Sequence, residues 1–172
     1  MQKSCVHVYT GDGKGKTTAS VGIAARAIGQ GLRVGFFQFM KSGMSGELVS
    51  LAKLGVMVVA PQGSTKFVFQ MDEAEKTEYA EKQQATLGRA IEQAGELDLL
   101  VLDEIVSAVT TGMIPSAQVE DFLKTRPEGL EVVMTGRDVP EQLIDLCDYV
   151  TEMKMHKHPY EKGIPARKGV EF

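Results

Sequence analysis

A glycine- and lysine-rich stretch, TGDGKGKT at Thr10–Thr17, limits the possible folds of this chain more than any other feature. It follows an apolar run with strand character, Cys5–Tyr9, and precedes an alanine-rich segment with helical periodicity, Thr17–Gln30. A loop of this composition between a strand and a helix is typical of phosphate-binding P-loops. The order of these elements therefore predicts an α/β chain whose first helix begins at an anion site.

The residue types within the loop fit that chemistry. Its glycines permit backbone conformations that turn successive N–H groups toward an anion. Lys16 is placed to reach phosphate oxygens, and the hydroxyl of Thr17 is placed to ligate Mg²⁺. The usual pattern starts with glycine, where this chain has Thr10, and a glycine-rich turn with chance lysines is the alternative. The predicted nucleotide-binding residues are Thr10, Gly11, Asp12, Gly13, Lys14, Gly15, Lys16, Thr17 and Thr18.

The rest of the chain alternates between apolar strand-like runs and helical segments. The predicted strands are Cys5–Tyr9, Arg33–Met40, Val56–Ala60, Asp98–Asp103, Glu131–Thr135 and Tyr149–Met153. The predicted helices are Thr17–Gln30, Glu47–Leu54, Asp72–Ala94, Ser116–Thr125 and Pro140–Leu146. Several strands are apolar at successive positions, as expected of strands covered on both faces. We therefore predict an α/β, P-loop NTPase-like (RecA-like) three-layer fold with a mainly parallel central sheet.

Composition sets further bounds. A chain of 172 residues with 43% hydrophobic residues is suited to one domain with one sizeable core, which we predict to span residues 1–172. Residues 154–172 are predicted to form a basic C-terminal surface segment. The net charge of -4 gives no general attraction to nucleic acid or to an anionic membrane. The sequence shows neither a signal peptide nor a membrane-length apolar run, so we expect a cytoplasmic protein.

A second motif supports the first. The sequence LDLLVLDE, Leu97–Glu104, is an apolar strand ending in two acids and resembles a Walker B element. Carboxylates at the carboxyl end of such a strand face the crevice in which α/β sheets bind ligands. We therefore predict Thr17, Asp103 and Glu104 as ligands of Mg²⁺. The alternative is that the acids only cap the following helix.

Five segments together resemble one family, the P-loop type of ATP:corrinoid adenosyltransferases, also called cob(I)alamin adenosyltransferases. They are TGDGKGKTT, QFMKSGMSGE at Gln38–Glu47, LDE at Leu102–Glu104, TGR at Thr135–Arg137 and the ending KHPYEKGIPARKGVEF. The resemblance covers Val8–Phe172. The P-loop alone occurs in many NTPases, whereas its combination with this C-terminal sequence is much more specific.

This resemblance implies a reaction in which Co(I) of a reduced corrinoid attacks the 5′-carbon of ATP and expels triphosphate. ATP, Mg²⁺ and a corrinoid are the implied co-substrate, cofactor and substrate. Lys16 and Glu104 are the residues expected to act in catalysis. The leaving group is a polyanion, which Lys16 neutralises directly and Glu104 only through the Mg²⁺ that it helps to bind. The family also implies a homodimer and a reduced flavoprotein as electron donor.

Further site residues follow from the resemblance. Lys41 and Glu47 are expected to border the nucleotide, with a solvated charge pair as the alternative. Arg137 is expected to bind phosphate through its guanidinium, or else to lie on the surface. Phe67 and Phe69 are expected near the lower face of the corrinoid, and anchoring of their loop to the core is the alternative.

Three other functions remain open from the residues themselves. A small-molecule kinase uses the same P-loop and acids, but usually closes an arginine-rich lid over the phosphates. A RecA-like ATPase acting on nucleic acid requires a basic groove, which the acidic composition disfavours. A non-catalytic regulator that binds ATP or a corrinoid is a third possibility.

Overall fold

The computed structural model describes residues 4–41, 45–61, 64 and 66–171. Residues 42–44 of the predicted QFMKSGMSGE motif, and the final Phe172, lie outside the described residues. The strands are Val6–Thr10 (β1), Val34–Gln38 (β2), Met57–Val59 (β3), Leu99–Asp103 (β4), Glu131–Thr135 (β5) and Tyr149–Glu152 (β6). The helices are Lys16–Gly29 (α1), Gly46–Lys53 (α2), Glu73–Gln93 (α3), Ile105–Thr110 (α4), Ser116–Thr125 (α5) and Glu141–Ile144 (α6).

The strands form one parallel sheet in the order β3-β2-β4-β5-β1-β6. The strand that leads into the glycine-rich loop, β1, is separated from the acid-bearing strand β4 by β5 alone. Because all the strands are parallel, their carboxyl ends lie at one edge of the sheet, and this edge is where ligands of open α/β sheets bind. The topology therefore brings the ends of β1, β5 and β4 together.

Helices cover both faces of the sheet. On one face, Ala24 and Ala27 of α1 and Leu48 and Leu51 of α2 pack on strand residues such as Phe36. On the other face, α3, α5 and α6 pack against the sheet, and their buried residues include Leu87, Phe122 and Leu143. The apolar run of β4 is fully buried, as a strand covered on both faces requires. The predicted three-layer fold with a parallel central sheet is confirmed.

Each predicted strand and helix has a counterpart whose ends lie within two residues of the predicted ones. One helix, α4, was not predicted. Its sequence IVSAVT is short, apolar and rich in β-branched residues, so it resembles a strand more than a helix. It begins directly after Glu104, whose backbone has a left-handed φ of 62° and turns the chain away from the sheet.

The segment after β6 runs over the surface. Residues 154–171 are exposed except for the half-buried His158, and a short 3₁₀ helix spans Pro159–Lys162. The segment returns to the glycine-rich loop, where Nζ of Lys14 lies 3.2 Å from Oε1 of Glu171. Among the residues that the structure describes, no helix has the length and apolar composition needed to cross a membrane.

Candidate nucleotide site

The glycine-rich loop occupies residues 11–15, between β1 and α1. Two of its glycines have positive φ values, 99° at Gly11 and 120° at Gly15, which side chains other than glycine rarely adopt. The loop also lies close to the chain after β6, because a Cβ added at Gly11 or Gly13 would lie 2.5–2.6 Å from the carbonyl oxygen of Met153. The N–H of Gly13 donates to that oxygen at 2.6 Å. The glycines are therefore required both by the turn and by this backbone contact.

Lys16 begins α1, and its side chain folds back into the loop. Its Nζ donates to the carbonyl oxygens of Gly11 at 2.6 Å and Gly13 at 2.8 Å, and only 7% of the residue is exposed. Burial lowers the pKa of Lys16 and the positive charge of Arg137 lowers it further, although the charges of Glu104 and Asp12 oppose this. The loop thus holds a cation at its centre, where a phosphate group would be bound.

Asp103, the last residue of β4, is completely buried. Its Oδ1 accepts a hydrogen bond from Oγ1 of Thr135 at 2.8 Å, which is possible because β5 lies between β4 and β1. Its Oδ2 accepts from Nζ of Lys41 at 2.9 Å and from Nε2 of Gln38 at 3.1 Å. A buried carboxylate is stable only when it is paired and hydrogen-bonded in this way.

Lys41 joins the buried acid to the P-loop. Its Nζ donates to Oγ1 of Thr17 at 3.1 Å and lies 3.5 Å from Oε1 of Glu47. Burial acts to lower the pKa of Lys41, but the attraction of Asp103 and the hydrogen bond to it, with the charges of Glu104 and Glu47, hold this pKa above its ordinary value. Two of the three predicted metal ligands, Thr17 and Asp103, therefore meet around one ammonium group.

Glu104 lies beside this cluster but is oriented differently. Its backbone N–H donates to Oγ1 of Thr135 at 2.8 Å, and its carboxylate accepts a hydrogen bond from the hydroxyl of Ser107. Its negative charge acts to raise the pKa of both Lys16 and Lys41. Although it occupies the position before α4, its side chain makes no capping hydrogen bond to the helix backbone, so the capping alternative is wrong.

Arg137 and Asp12 lie at the outer side of the loop, and both are exposed. Their charges interact with each other and with Lys16. The carboxylate of Asp12 accepts a hydrogen bond from the backbone N–H of Met155 at 3.0 Å, and this bond lowers the pKa of Asp12. The acid in the loop is therefore turned toward the segment after β6 and away from the cation at the centre of the loop.

A cleft with a volume of about 350 Å³ adjoins the P-loop. It is enclosed by α1, by α2 and by the end of the C-terminal segment. The residues that line it are Thr17, Thr18, Val21, Lys41, Gly46, Glu47, Ser50, Gly169, Val170 and Glu171. Lys14 points outward to this segment, where its Nζ lies 3.4 Å from the carbonyl oxygen of Val170. The C-terminal segment thus forms one wall of the cleft beside the phosphate loop.

An apolar groove with a volume of about 440 Å³ lies beside the loop that carries Phe67 and Phe69. The two rings are stacked, with centroids 5.5 Å apart and planes at 6°, and the residues are 68% and 82% exposed. The alternative in which these rings anchor their loop to the core is therefore wrong. Met40, which precedes Lys41, also lines this groove. Of these two consecutive residues, Met40 thus faces the apolar groove and Lys41 contacts Asp103.

Three polar residues in the site were not predicted. Gln38 and Thr135 end β2 and β5, and both bind Asp103. Gln83 of α3 is fully buried and accepts a hydrogen bond from the N–H of Met40, which has a left-handed φ of 59°. Gln38 and Thr135 could have been found from the sequence, because each is a polar residue at the end of an apolar strand. The contact of Gln83 could not, because it depends on how α3 packs.

A glycine loop between the first strand and helix, with a lysine at its centre and a buried carboxylate two strands away, defines a P-loop nucleotide-binding protein of the α/β class. Comparison with known proteins identifies the family within this class. The family model of the ATP:corrinoid adenosyltransferase BtuR/CobO/CobP matches residues 2–172, and the chain belongs to this family. The chain is accordingly an adenosyltransferase, and the kinase and nucleic-acid ATPase alternatives are not supported.

Curated relatives agree with this assignment. The chain is 34% identical to the corrinoid adenosyltransferase CobA of Salmonella typhimurium, over 99% of this chain and 87% of that protein. It is 38% identical to a corrinoid adenosyltransferase of Sinorhizobium sp, over 99% of this chain and 81% of that protein. Among solved structures, the cytoplasmic domain of EssC matches with a TM-score of 0.54 at 13% identity, over 96% of this chain and 34% of that one. That likeness concerns the fold alone.

Proposed function

We propose that this chain transfers the 5′-deoxyadenosyl group of ATP to Co(I) of a reduced corrinoid and releases triphosphate. An electron pair of Co(I) forms the new bond to C5′ while the bond from C5′ to oxygen breaks, and that bonding pair leaves with the triphosphate. The observation that carries the proposal is the junction at Met40 and Lys41, where an exposed aromatic groove adjoins a P-loop site. No proton is transferred in this step, so a general base is not needed.

The P-loop stabilises the leaving group. The triphosphate gains negative charge as the bond to C5′ breaks, and fixed donors aimed at that charge lower the barrier. Lys16 is already positioned inside the loop, where its ammonium donates to two carbonyl oxygens that phosphate oxygens would replace. Arg137 supplies a second positive charge at the outer side of the loop. The loop residues from Thr10 to Gly15 form the backbone around the phosphates, although the N–H of Gly13 already donates to the carbonyl oxygen of Met153. Thr17 and Thr18 add their hydroxyls.

The residues beside the loop also suit Mg²⁺. Oγ1 of Thr17 and Oδ2 of Asp103 already surround one cation, the ammonium of Lys41, at 3.1 and 2.9 Å. A hydroxyl and a carboxylate, completed by phosphate oxygens and water, form a typical magnesium donor set. Mg²⁺ bound there supplies additional neutralisation of the triphosphate. Glu104 contributes a second negative charge close to these oxygens.

Asp103→Asn is expected to raise the Mg²⁺ concentration for half-maximal activity by about tenfold, because it removes the charge of the buried carboxylate. Glu104→Gln is expected to have a smaller effect in the same direction, since its carboxylate is bound to Ser107 and does not contact Lys41. A Mg²⁺ titration of initial rates at saturating ATP measures both. Glu92→Gln, at an exposed position of α3, is the control. Unchanged titrations for both site variants would mean that the acid pair is structural.

The corrinoid is proposed to bind at the apolar groove. Stacked and exposed rings at Phe67 and Phe69 offer a flat apolar surface, which is otherwise unfavourable in water. Packing of these rings against the lower face of the corrin would exclude the lower axial ligand and make cobalt easier to reduce. This arrangement leaves the upper face of the corrinoid toward the nucleotide.

An anaerobic assay with ATP and chemically reduced cob(I)alamin tests the reaction. The expected products are adenosylcobalamin, followed by its absorption spectrum, and triphosphate, identified by chromatography. Formation of ADP without cobalt alkylation would contradict the proposal and favour a kinase or an ATPase.

The proposal includes a homodimer, a reduced flavoprotein as electron donor, a location in the cytoplasm and a single functional domain over residues 1–172. Family resemblance supports the dimer and the donor, whereas the location and the single domain are expected from the sequence itself. Sedimentation analysis of the purified chain tests the dimer. Reduction of cob(II)alamin by a reduced flavoprotein, with and without the chain present, tests the donor.

A further inference from the structure

The ammonium of Lys41 lies where the proposed metal pair converges. It contacts Oγ1 of Thr17 at 3.1 Å and Oδ2 of Asp103 at 2.9 Å. A divalent cation bound by the same two oxygens cannot occupy this space together with the ammonium, because both like charges and atomic volumes exclude it. Binding of the metal and the present position of Lys41 are therefore mutually exclusive.

The burial of Asp103 explains why a cation is needed there at all times. Its carboxylate is completely buried, and Gln38 and Thr135 supply neutral hydrogen bonds but no charge. An ionised carboxylate without a counter-charge is costly in such surroundings. Among the described residues, Lys41 is the cation that forms an ion pair with Asp103. The side chain thus performs, in the nucleotide-free protein, the neutralisation that a metal performs later.

A second carboxylate is available to receive the displaced ammonium. Oε1 of Glu47 already lies 3.5 Å from Nζ of Lys41, and its side chain is 16% exposed. The amide of Gln38 spans the two acids, because its Nε2 donates to Glu47 at 3.2 Å and to Asp103 at 3.1 Å. Lys41 and Glu47 both line the cleft beside the P-loop. A short movement toward Glu47 therefore releases Asp103 while the lysine keeps an anionic partner.

We propose that Lys41 is a displaceable counter-ion of Asp103, and that its ammonium transfers to Glu47 when a divalent cation binds. This role rests on the proposed pairing of Thr17 and Asp103 at the metal. It makes Lys41 a competitor of the metal in the nucleotide-free protein, in contrast to a residue that only contacts phosphate. Removing its charge should therefore strengthen metal binding and at the same time weaken the metal-free fold.

Mn²⁺ binding to the nucleotide-free protein tests the competition, with free Mn²⁺ measured by electron paramagnetic resonance. Lys41→Met is expected to bind Mn²⁺ about tenfold more tightly than the wild type, because the competing ammonium is gone. Lys41→Gln, which is neutral but polar, should shift the affinity in the same direction. Lys53→Met removes an exposed lysine at the end of α2 and should leave the affinity unchanged. Unchanged or weaker binding in both Lys41 variants would overturn the proposal.

Thermal unfolding supplies a readout that is independent of catalysis. Without metal, Lys41→Met should unfold about 3–6 °C below the wild type, because Asp103 loses its counter-charge. Saturating Mn²⁺ should remove this difference. An equal melting temperature of the two metal-free proteins would contradict the counter-ion role.

A separate substitution, Glu47→Gln, tests the transfer of the ammonium to Glu47. Glu47→Gln removes the receiving charge and should weaken Mn²⁺ binding several-fold, opposite in direction to Lys41→Met. In the double variant Lys41→Met and Glu47→Gln, no ammonium remains to be received, so the Glu47 substitution should have a smaller effect than it has alone. Equal effects of Glu47→Gln in both backgrounds would contradict the transfer.

Asp103→Asn separates this inference from the metal assignment on which it rests. If Asp103→Asn abolishes Mn²⁺ binding and Lys41→Met leaves it unchanged, the metal pair stands and the counter-ion role is wrong. If Asp103→Asn leaves Mn²⁺ binding unchanged, the metal assignment itself is wrong.

Discussion

Lys16→Ala is expected to reduce adenosyl transfer at limiting ATP by about 10²–10³-fold, because the loop loses the cation at its centre. The ammonium of Lys16 is largely buried and donates to Gly11 and Gly13, so it is oriented before nucleotide binds. The loss should appear in kcat as well as in ATP affinity, since negative charge develops on the triphosphate in the transition state. Anaerobic initial rates and calorimetric ATP titrations measure the two quantities.

The fold should survive this substitution. Lys16 contacts loop carbonyls at the edge of the sheet, and the apolar clusters on both faces do not include it. Lys14→Ala is the matched control, because this lysine belongs to the same loop but its ammonium points to Glu171. It should lose less than about tenfold, as a partly exposed ion pair contributes little. Rates near the wild type in Lys16→Ala at limiting ATP would contradict the P-loop assignment.

The parts of the fold that depend on local sequence could be predicted. The glycine loop, the apolar run before it and the periodic helix after it carry their signals within a few residues. The acid pair at the carboxyl end of β4 is likewise a local pattern. These signals gave the positions of strands and helices, whereas α4 was missed because its six residues contain too little periodicity.

Contacts between distant segments could not be predicted in the same way. The hydrogen bond from Thr135 to Asp103 requires β5 to lie next to β4, and strand order is decided by packing across the whole sheet. The position of Lys41 between Thr17 and Asp103 depends on the backbone of Met40 in the loop after β2, and Gln83 of α3 accepts a hydrogen bond from that backbone. The sequence identified Thr17, Lys41 and Asp103 as site residues but could not show that Lys41 contacts the other two.

The exposure of Phe67 and Phe69 illustrates the same limit. Two aromatic residues in a polar segment fit an anchor in the core as well as a binding surface. The structure distinguishes these alternatives, because both rings are mostly exposed and stack on each other. Their proposed contact with a corrinoid can therefore be tested with little risk to the fold.

Replacing both Phe67 and Phe69 by Ala is expected to impair the steps that involve the corrinoid while ATP affinity stays nearly unchanged. The rings line an apolar groove, whereas the triphosphate is bound at the P-loop. Starting from cob(II)alamin with a flavoprotein reductant, the rate should fall about 10–100-fold, because the loss of aromatic packing lets the lower axial ligand remain on cobalt. Starting from cob(I)alamin, which carries no such ligand, the loss should be less than about tenfold. Parallel anaerobic assays from the two cobalt states measure the difference.

The comparison of starting states is what makes this prediction specific. A general distortion of the site would slow both reactions equally, and it would also lower ATP affinity in a calorimetric titration. Ile91→Ala is the control, because it also removes an exposed apolar side chain but one that lies on α3. It should leave both rates unchanged. The variant in which Phe67 and Phe69 are both replaced by Ala should unfold at a temperature within a few degrees of the wild type, because exposed side chains contribute little to stability. Equal losses from cob(II)alamin and cob(I)alamin, or a fall in ATP affinity that matches the fall in rate, would mean that the aromatic pair shapes the site without acting on the lower ligand.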